Sequence, residues 1–520
     1  LTDARPARLG LLLALACALA LASSWGYCLQ DDAFISFRYA QHLVDGHGLV
    51  FNPGEAVEGY TNPSWTVLSA ALLALGLAPE LPIIAAGVLG LLGVISVGWR
   101  LAATRGGPAA VGAAGLIALH GGASLEAVQG LESTTFAALV AAGLWARLSE
   151  LRAEGEGATP SKIPVSALLC AAAALTRPEG WLLMALLEGL PLLGRALPGP
   201  SGGPRAALAT IPARLPAWGS FLLIAGAHIV WRWLTYGELV PNTFFVKVGG
   251  TEAQALRGLR YLADQAWAQP TGAALALAGA ALSLGGLRGP AAARAQAALT
   301  LGLPAVFLAY VAAVGGDFKA TGRFVLPLLG PLGLLAGAAL AAAGARLGRP
   351  WLPVAAALVL GGLDLGWQLP ALRAAADERN VVALRDAAVG RFLHENARPD
   401  AVLAIHSAGA VPYYSGLRTI DMWGLSDKHI GRRQVATMGQ GMAGHEKTDY
   451  DYVFSRDPDL YLPQDQLLTP TPAELPVPSD FPPDFERRYR QLSVQVGEEG
   501  WLNLFVRADA PPIWRGRGGG

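Results

Sequence analysis

Twelve apolar runs of membrane-helix length or slightly less constrain this chain more than any other feature. They lie near residues 9–29, 63–78, 83–101, 108–122, 134–148, 163–176, 180–194, 217–236, 271–287, 295–314, 322–343 and 350–369. In hydrocarbon only a helix or a closed barrel satisfies its own backbone, and a spanning helix needs about 20 apolar residues. The shorter runs read as tilted, half-buried or re-entrant. Composition agrees, since 15% of the 520 residues are charged, against roughly 25% in soluble domains. A net charge of zero leaves no basic surface for a nucleic acid. Cys17, Cys28 and Cys170 sit within or beside apolar runs, without the spacing of a metal site or a disulfide framework. Glycine, at 64 residues, suits close helix packing in lipid. The fold class is therefore mainly α, a polytopic transmembrane helical bundle.

Charge in the connections orients it. Arg195, Arg205 and Arg214 share one loop without an acid, and the pairs Arg288/Arg294 and Arg346/Arg349 do the same in two others. The positive-inside rule puts these three on the cytoplasmic side. The 30–62 loop carries five acids against Arg38 and belongs outside. The loops at Glu132, at Arg177 and Glu179, at 237–270 and at Asp317 then face outside with it. Arg5 and Arg8 before the first run, with Ala20-Leu21-Ala22 after it, resemble a secretory signal. We expect a retained first span instead, because the acidic loop needs an anchor on both sides. The orientation demands an odd number, so about 11 spans are expected, with one segment between 63 and 122 failing to cross.

Past residue 370 the character changes, and 20 of the 39 acids fall there. An amphipathic helix over 377–397 and apolar strands at Ala401–Ile405 and Trp501–Val506 predict a soluble α/β or α+β domain. The expected organisation is a transmembrane domain at 1–369 with its first external loop at 30–62, a soluble domain at 370–512, and a disordered tail at 513–520.

The first loop is where chemistry concentrates. Two adjacent carboxylates, Asp31 and Asp32, stand at a membrane surface, where they are costly unless they react, bind a cation or cap a helix. Arg38, Gln41, His42 and Asp45 recur at helical spacing opposite Phe34, Phe37 and Val44. This predicts a short helix lying on the bilayer, capped by Asp32 and ended by Gly46. Across the outward loops, Asp31, Asp32, Arg38, Glu132, Arg177, Glu179, Asn242, Lys247, Asp317, Lys319 and Arg323 all lie close to an apolar boundary. A carboxylate there suits taking a proton from a hydroxyl, and Arg and Lys suit stabilising a departing phosphate. The substrate so implied has a phosphate head and a lipid tail. Each residue also has a plainer role: a cap for Asp32, a helix-end ion pair for Arg177 and Glu179, a turn for Asp317. His47 lies between glycines in the first loop, and His406 near the end of a core strand suits a structural histidine or a ligand.

Asp31–Tyr39, Gly46–Asn52 and Val57–Asn62, the last containing Glu58, Tyr60 and Asn62, closely resemble the first external loop of GT-C membrane glycosyltransferases. The nearest likeness is to the mycobacterial terminal β-(1→2)-arabinofuranosyltransferase and its bacterial relatives. It continues at Gly130-Leu131-Glu132, Thr176–Gly180, Leu239–Phe245 and Gly315–Phe318, then at Pro412–Gly416, Ile420-Asp421, Gly424-Leu425 and Gly444–Lys447. The resemblance implies transfer of a sugar, arabinofuranose in the nearest relatives, from a polyprenyl-phosphate donor to a hydroxyl of an envelope glycan or glycolipid. The setting it implies is the outer face of a bacterial inner membrane, with the terminal domain on the periplasmic or extracellular side. It maps the catalytic carboxylate onto Asp31 or Asp32. Arg38, Arg177, Lys247 and Arg323 are candidates for the donor phosphate on chemical grounds. His47, Glu58, Tyr60, Asn62, Glu132, Glu179, Asn242, Asp317 and His406 are candidates for shaping the site. Lys319 stands where many relatives carry an apolar residue. Some GT-C enzymes use a divalent cation; with no DxD pair, the metal is open. A lipid-linked-sugar flippase and a non-catalytic envelope-assembly protein are the competing classes.

Overall fold

The computed structural model describes residues 5–157, 163–199, 201–463 and 467–514. All twelve apolar runs fold as helices. Seven are long and apolar enough to cross a membrane: Arg5–Ser23, Glu80–Ala103, Ile211–Tyr236, Pro270–Arg288, Ala291–Ala313, Leu326–Arg346 and Leu352–Asn396. Pro63–Ala74, Gly107–Ala118 and Val165–Thr176 are apolar but have 12 residues each, about 18 Å of helix. The expectation of about 11 spans thus rests on these short helices as well as the long ones. Close packing uses glycine where backbones meet. A Cβ at Gly87 would collide with the Ala127 carbonyl, and one at Gly279 with that of Leu335. Without a hydrophobic drive between helices in lipid, such approach gains the dispersion contacts that hold them.

The Leu352–Asn396 helix runs 45 residues with Pro370 inside it, about 68 Å. It passes through the expected domain boundary without a break, and it ends with Val389 and Leu393 packed under a sheet. That sheet is mixed and has six strands: β1 (Val402–Ile405), β2 (Arg418–Asp421), β3 (Leu460–Leu462), β4 (Leu468–Thr469), β5 (Tyr489–Val496) and β6 (Gly500–Arg507). β1 lies between β2 and β3, parallel to both. β6 is antiparallel to β3, β4 and β5. The strand period of two divides the core. Leu403, Ile405, Leu460 and Leu462 face the long helix. Ala404 and Tyr461 face an aromatic cluster with Phe454, Phe481 and Phe485. Ile513 and Trp514, assigned to the tail from sequence, are held here instead. Arg398 N donates to Ile513 O at 2.7 Å, and Trp514 bridges to Ala397. The rest of the expected tail, 515–520, lies outside the described residues.

The first loop is not a helix on the bilayer surface. Its helix, Asp31–Val44, is buried from Ala33 through Ala40 between bundle and terminal domain. Gln30 is its N-cap; Asp31 and Asp32 stand in the first turn, so Asp32 does not cap it. Gly46, at φ +82°, does end it. Arg38, 2% exposed, donates to Phe51 O and Leu417 O, each at 2.7 Å, and to Pro412 O. Asn52 pairs with the Thr419 backbone through both its amide atoms, at 2.8 and 3.0 Å. Asn242 donates to the carbonyls of Gly424, Leu425 and Asp427. Peptide groups of the terminal domain thus find partners on side chains of the bundle loops, which fixes one against the other.

Candidate active site

The loops that carry these charges converge on a cavity of about 620 Å³, within the size range of small-molecule sites. Its polar side is formed by Asp32, Glu132, Arg177, Glu179, Lys247, Asp317, Arg323 and His445. Apolar side chains line it as well, among them Trp181, Leu182, Ile229, Leu239, Phe244 and Phe324. Leu239 is 62% and Phe244 45% exposed, so part of the apolar lining reaches the outer surface of the bundle.

Asp32 stands at the polar end with 43% of its side chain accessible. Lys319 Nζ is 3.0 Å from its Oδ2, and an Arg323 guanidinium nitrogen is 3.5 Å from the same atom. Arg323 also pairs with Asp317, whose Oδ1 accepts from Phe318 N at 2.9 Å. Lys319 reaches Gln30 as well. Burial alone would raise the Asp32 pKa, but Lys319, Arg323 and Lys247 outweigh it and hold the carboxyl far below the usual range. Burial pushes the Lys247 ammonium down to about 8, with the Arg323 charge acting the same way. Lys247 has no ion-pair or side-chain hydrogen-bond partner among the described residues. Three cations thus face two carboxylates, and one of the cations is uncommitted.

Arg177 is differently placed. It donates to Glu132 at 2.8 Å and to Glu179 at 2.9 Å, and Asn62 donates to the other Glu132 oxygen at 2.8 Å. Its charge is already matched by two carboxylates, so it braces the cavity wall. Tyr60 lines the cavity, with its hydroxyl 3.4 Å from that of Tyr236. Glu58 is buried against Arg232.

Asp31 takes a separate course from its neighbour. Its oxygens accept from Gly409 N at 3.0 Å and Ala410 N at 2.7 Å in the terminal domain. Of the two aspartates, Asp32 faces the cavity. Arg38 is also corrected as a phosphate candidate, because its donors are spent on the carbonyls that fix the terminal domain. Asn242 acts as a tether. His47 is exposed on the far side of the first-loop helix, and His406 packs against Trp423 and Tyr450 in the terminal domain. Neither histidine lines the cavity. Three residues absent from the sequence candidates do belong there: His445, Arg232 and Arg257. Arg232 interrupts an apolar span, a signal of function or pairing available from sequence. His445 lies in a terminal-domain motif whose approach to the membrane loops only the fold reveals. Among the described residues no three His, Cys, Asp or Glu side chains gather as metal ligands. Lys319 and Arg323 occupy the space beside Asp32 where a dication would sit, so the residues present do not fit one.

The architecture matches solved membrane enzymes at low sequence identity. ArnT from Cupriavidus metallidurans bound to undecaprenyl phosphate superposes with a TM-score of 0.60 at 15% identity, covering 96% of this chain and 99% of that one. Archaeal oligosaccharyltransferase AglB from Archaeoglobus fulgidus, in complex with an inhibitory peptide and a dolichol-phosphate, gives 0.52 at 13%, covering 80% and 64%. Residues 373–505 match a domain of unknown function, DUF8728. No curated protein matches the chain. The fold is that of the polytopic GT-C proteins, a multi-pass membrane bundle with a small C-terminal sheet domain.

Proposed function

We propose that this chain transfers a sugar from a polyprenyl-phosphate donor to a hydroxyl of an envelope glycan or glycolipid, on the outer face of a bacterial inner membrane. The observation that carries the reading is the Asp32 carboxylate beside Lys319, Arg323 and the uncommitted Lys247, in a cavity whose apolar lining includes the exposed Leu239 and Phe244. The sugar phosphate occupies the charged end and the prenyl chain leaves past Leu239 and Phe244. The solved neighbours were captured with undecaprenyl phosphate and with a dolichol-phosphate, which supports a lipid phosphate as the ligand class. Arabinofuranose is the sugar to which the first-loop resemblance points.

The acceptor oxygen attacks C1, the bond from C1 to the phosphate oxygen breaks, and the acceptor proton passes to Asp32. The departing polyprenyl phosphate gains a negative charge next to Lys247 and Arg323, which stabilise it more than they stabilise the ground state. If the anomeric centre is retained, the same carboxylate acts as nucleophile or stabilises an ion pair. Lys319 and Arg323 keep Asp32 ionised but weakly basic. A donor phosphate that draws those cations to itself restores basicity when the substrate is in place.

The test is transfer from radiolabelled polyprenyl-phosphoryl arabinofuranose to a glycan acceptor in membranes, comparing wild type with Asp32→Asn at matched expression. Transfer that the substitution abolishes supports the reading. Donor movement across the bilayer without transfer would replace it with the flippase.

A further inference from the structure

A second cavity, about 310 Å³, opens at the other end of the bundle. The helices that frame it fix its position. Glu80–Ala103 begins where Glu80 accepts from Tyr414 of the terminal domain, and it ends beside Arg105. Ser133–Gly155 begins next to Glu132 of the first cavity and carries Arg152 in its last turn. At 1.5 Å per residue the stretch from Glu132 to Arg152 spans about 30 Å, so the Arg152 side of this cavity lies toward the far end of the bundle, although on the Ala291–Ala313 helix its Thr300 is only about 15 Å from Tyr310 of the first cavity.

The lining has two zones. Arg105, Arg152 and Gln296 form a polar rim, and Leu148, Leu282 and Leu334 form an apolar floor. No acid lines it. Neither guanidinium has an ion-pair or hydrogen-bond partner among the described residues. Arg147, on the same helix as Arg152, is by contrast paired with Glu150 and Glu154. The Pro270–Arg288 helix on one side of the cavity has only 11% of its apolar window buried, and its Leu282 is 46% exposed. The floor is therefore continuous with the surface that meets lipid chains.

Two like charges on one rim, with no acid between them, form an arrangement that an anion relieves. A guanidinium pair suits the several oxygens of a phosphate, and the leucine floor suits a hydrocarbon chain entering from the side. We propose that this cavity binds the phosphate headgroup of an anionic membrane lipid, on the face opposite the Asp32 site, with a chain lying along Leu282 and Leu334.

The experiment uses the full chain, purified in detergent and titrated with phosphatidylglycerol, phosphatidylcholine or inorganic phosphate. Binding is read by native mass spectrometry and by the shift in unfolding temperature. Wild type should hold phosphatidylglycerol at least tenfold more tightly than phosphatidylcholine. Arg105→Gln/Arg152→Gln should lose that preference, and so should Leu334→Trp, which fills the floor and leaves the charges in place. Equal phosphatidylglycerol retention by wild type and the double variant overturns the proposal, as does an unaffected Leu334→Trp. Stabilisation by inorganic phosphate equal to that by the lipid, and removed by the double variant, assigns the rim to free phosphate and overturns the lipid source.

Discussion

At the end of the bundle away from Asp32, Arg147, Arg195 and Arg214 pair with Glu150, Glu154 and Glu188; at the other end Lys247, Lys319 and Arg323 face Asp32 and Asp317. The first group joins two helices, Ser133–Gly155 and Gly180–Ala196, to the Ile211–Phe221 segment. Arg214 reaches Glu150 at 2.9 Å and Glu188 through two nitrogens, Arg147 reaches Glu154 at 2.9 Å, and Trp218 donates to Glu188 at 3.2 Å. Cations and carboxylates are equal in number there, and their side chains are mostly buried. The second group is unequal, with Lys247 unpaired and Asp32 open to a cavity. Buried charge inside a membrane protein therefore does not itself mark a reaction centre. Imbalance together with access to a ligand does, because a group already matched and sealed has nothing left to give a substrate.

The largest effect expected from this contrast is at Asp32. Asp32→Asn should lower turnover by about 10²–10⁴-fold, the usual contribution of a positioned acid or base, with little change in unfolding temperature. Glu188→Gln should do the reverse. It removes one of the two carboxylates that Arg214 meets, leaving Glu150 at 2.9 Å and the cluster one acid short, a loss of about 1–3 kcal/mol, while transfer per folded molecule stays at the wild-type value. Thermal unfolding beside a transfer assay normalised to folded protein separates the two. Loss of transfer in Glu188→Gln at an unchanged unfolding temperature would erase the distinction between the clusters.

Legibility in the sequence followed the same division. Hydropathy located the apolar helices of the bundle, because lipid imposes one solution on an apolar run, and missed the amphipathic helix Glu252–Ala268 inside the expected 237–270 loop. Short, nearly continuous apolar runs located β1 and β6. Charges near apolar boundaries identified Asp32, Glu132, Arg177, Glu179, Lys247, Asp317 and Arg323, which the fold gathers in one cavity. The failures share a cause. Arg38 has the chemistry of a phosphate ligand, and only the fold shows its donors turned to the carbonyls of Phe51, Pro412 and Leu417. The opposite cluster is not visible in the sequence because Arg195 and Arg214 register there only as loop charge, and the acids they meet, Glu150, Glu154 and Glu188, lie on other segments. Charge counted along loops placed the polar groups on one face, and the structure adds this second set. Local pattern reports which groups are present; which are already satisfied depends on partners about 40 to 380 residues away.

A smaller effect is expected at Lys247. Its ammonium, ordinarily near 10.5, is lowered to about 8 by burial and by Arg323. The charged fraction in the folded chain therefore falls as pH rises through about 8, and donor KM should rise over that window. Lys247→Arg should flatten this limb, since a guanidinium stays charged throughout. A pH-independent donor KM in wild type would remove Lys247 from the phosphate site.

The finest division is between the adjacent aspartates. In Asp31→Asn the side-chain NH₂ replaces one of the two oxygens that accept from Gly409 N and Ala410 N, so one donor goes unmatched at a cost of about 1–3 kcal/mol. Transfer should persist within a few-fold, because Asp31 does not face the cavity. Its carboxyl is raised above its ordinary value of 3.8 by burial first and by Asp386 next, against the two backbone hydrogen bonds. A carboxyl raised in the folded state holds a proton that the unfolded chain has already lost. Its contribution to stability thus falls as pH climbs from about 3.8 through the raised value. The asparagine cannot titrate, so the stability gap between wild type and Asp31→Asn should narrow as pH increases across this range. A gap that widens would reverse the sign assigned to Asp31. Transfer lost as completely as in Asp32→Asn would show that both carboxylates belong to the reaction.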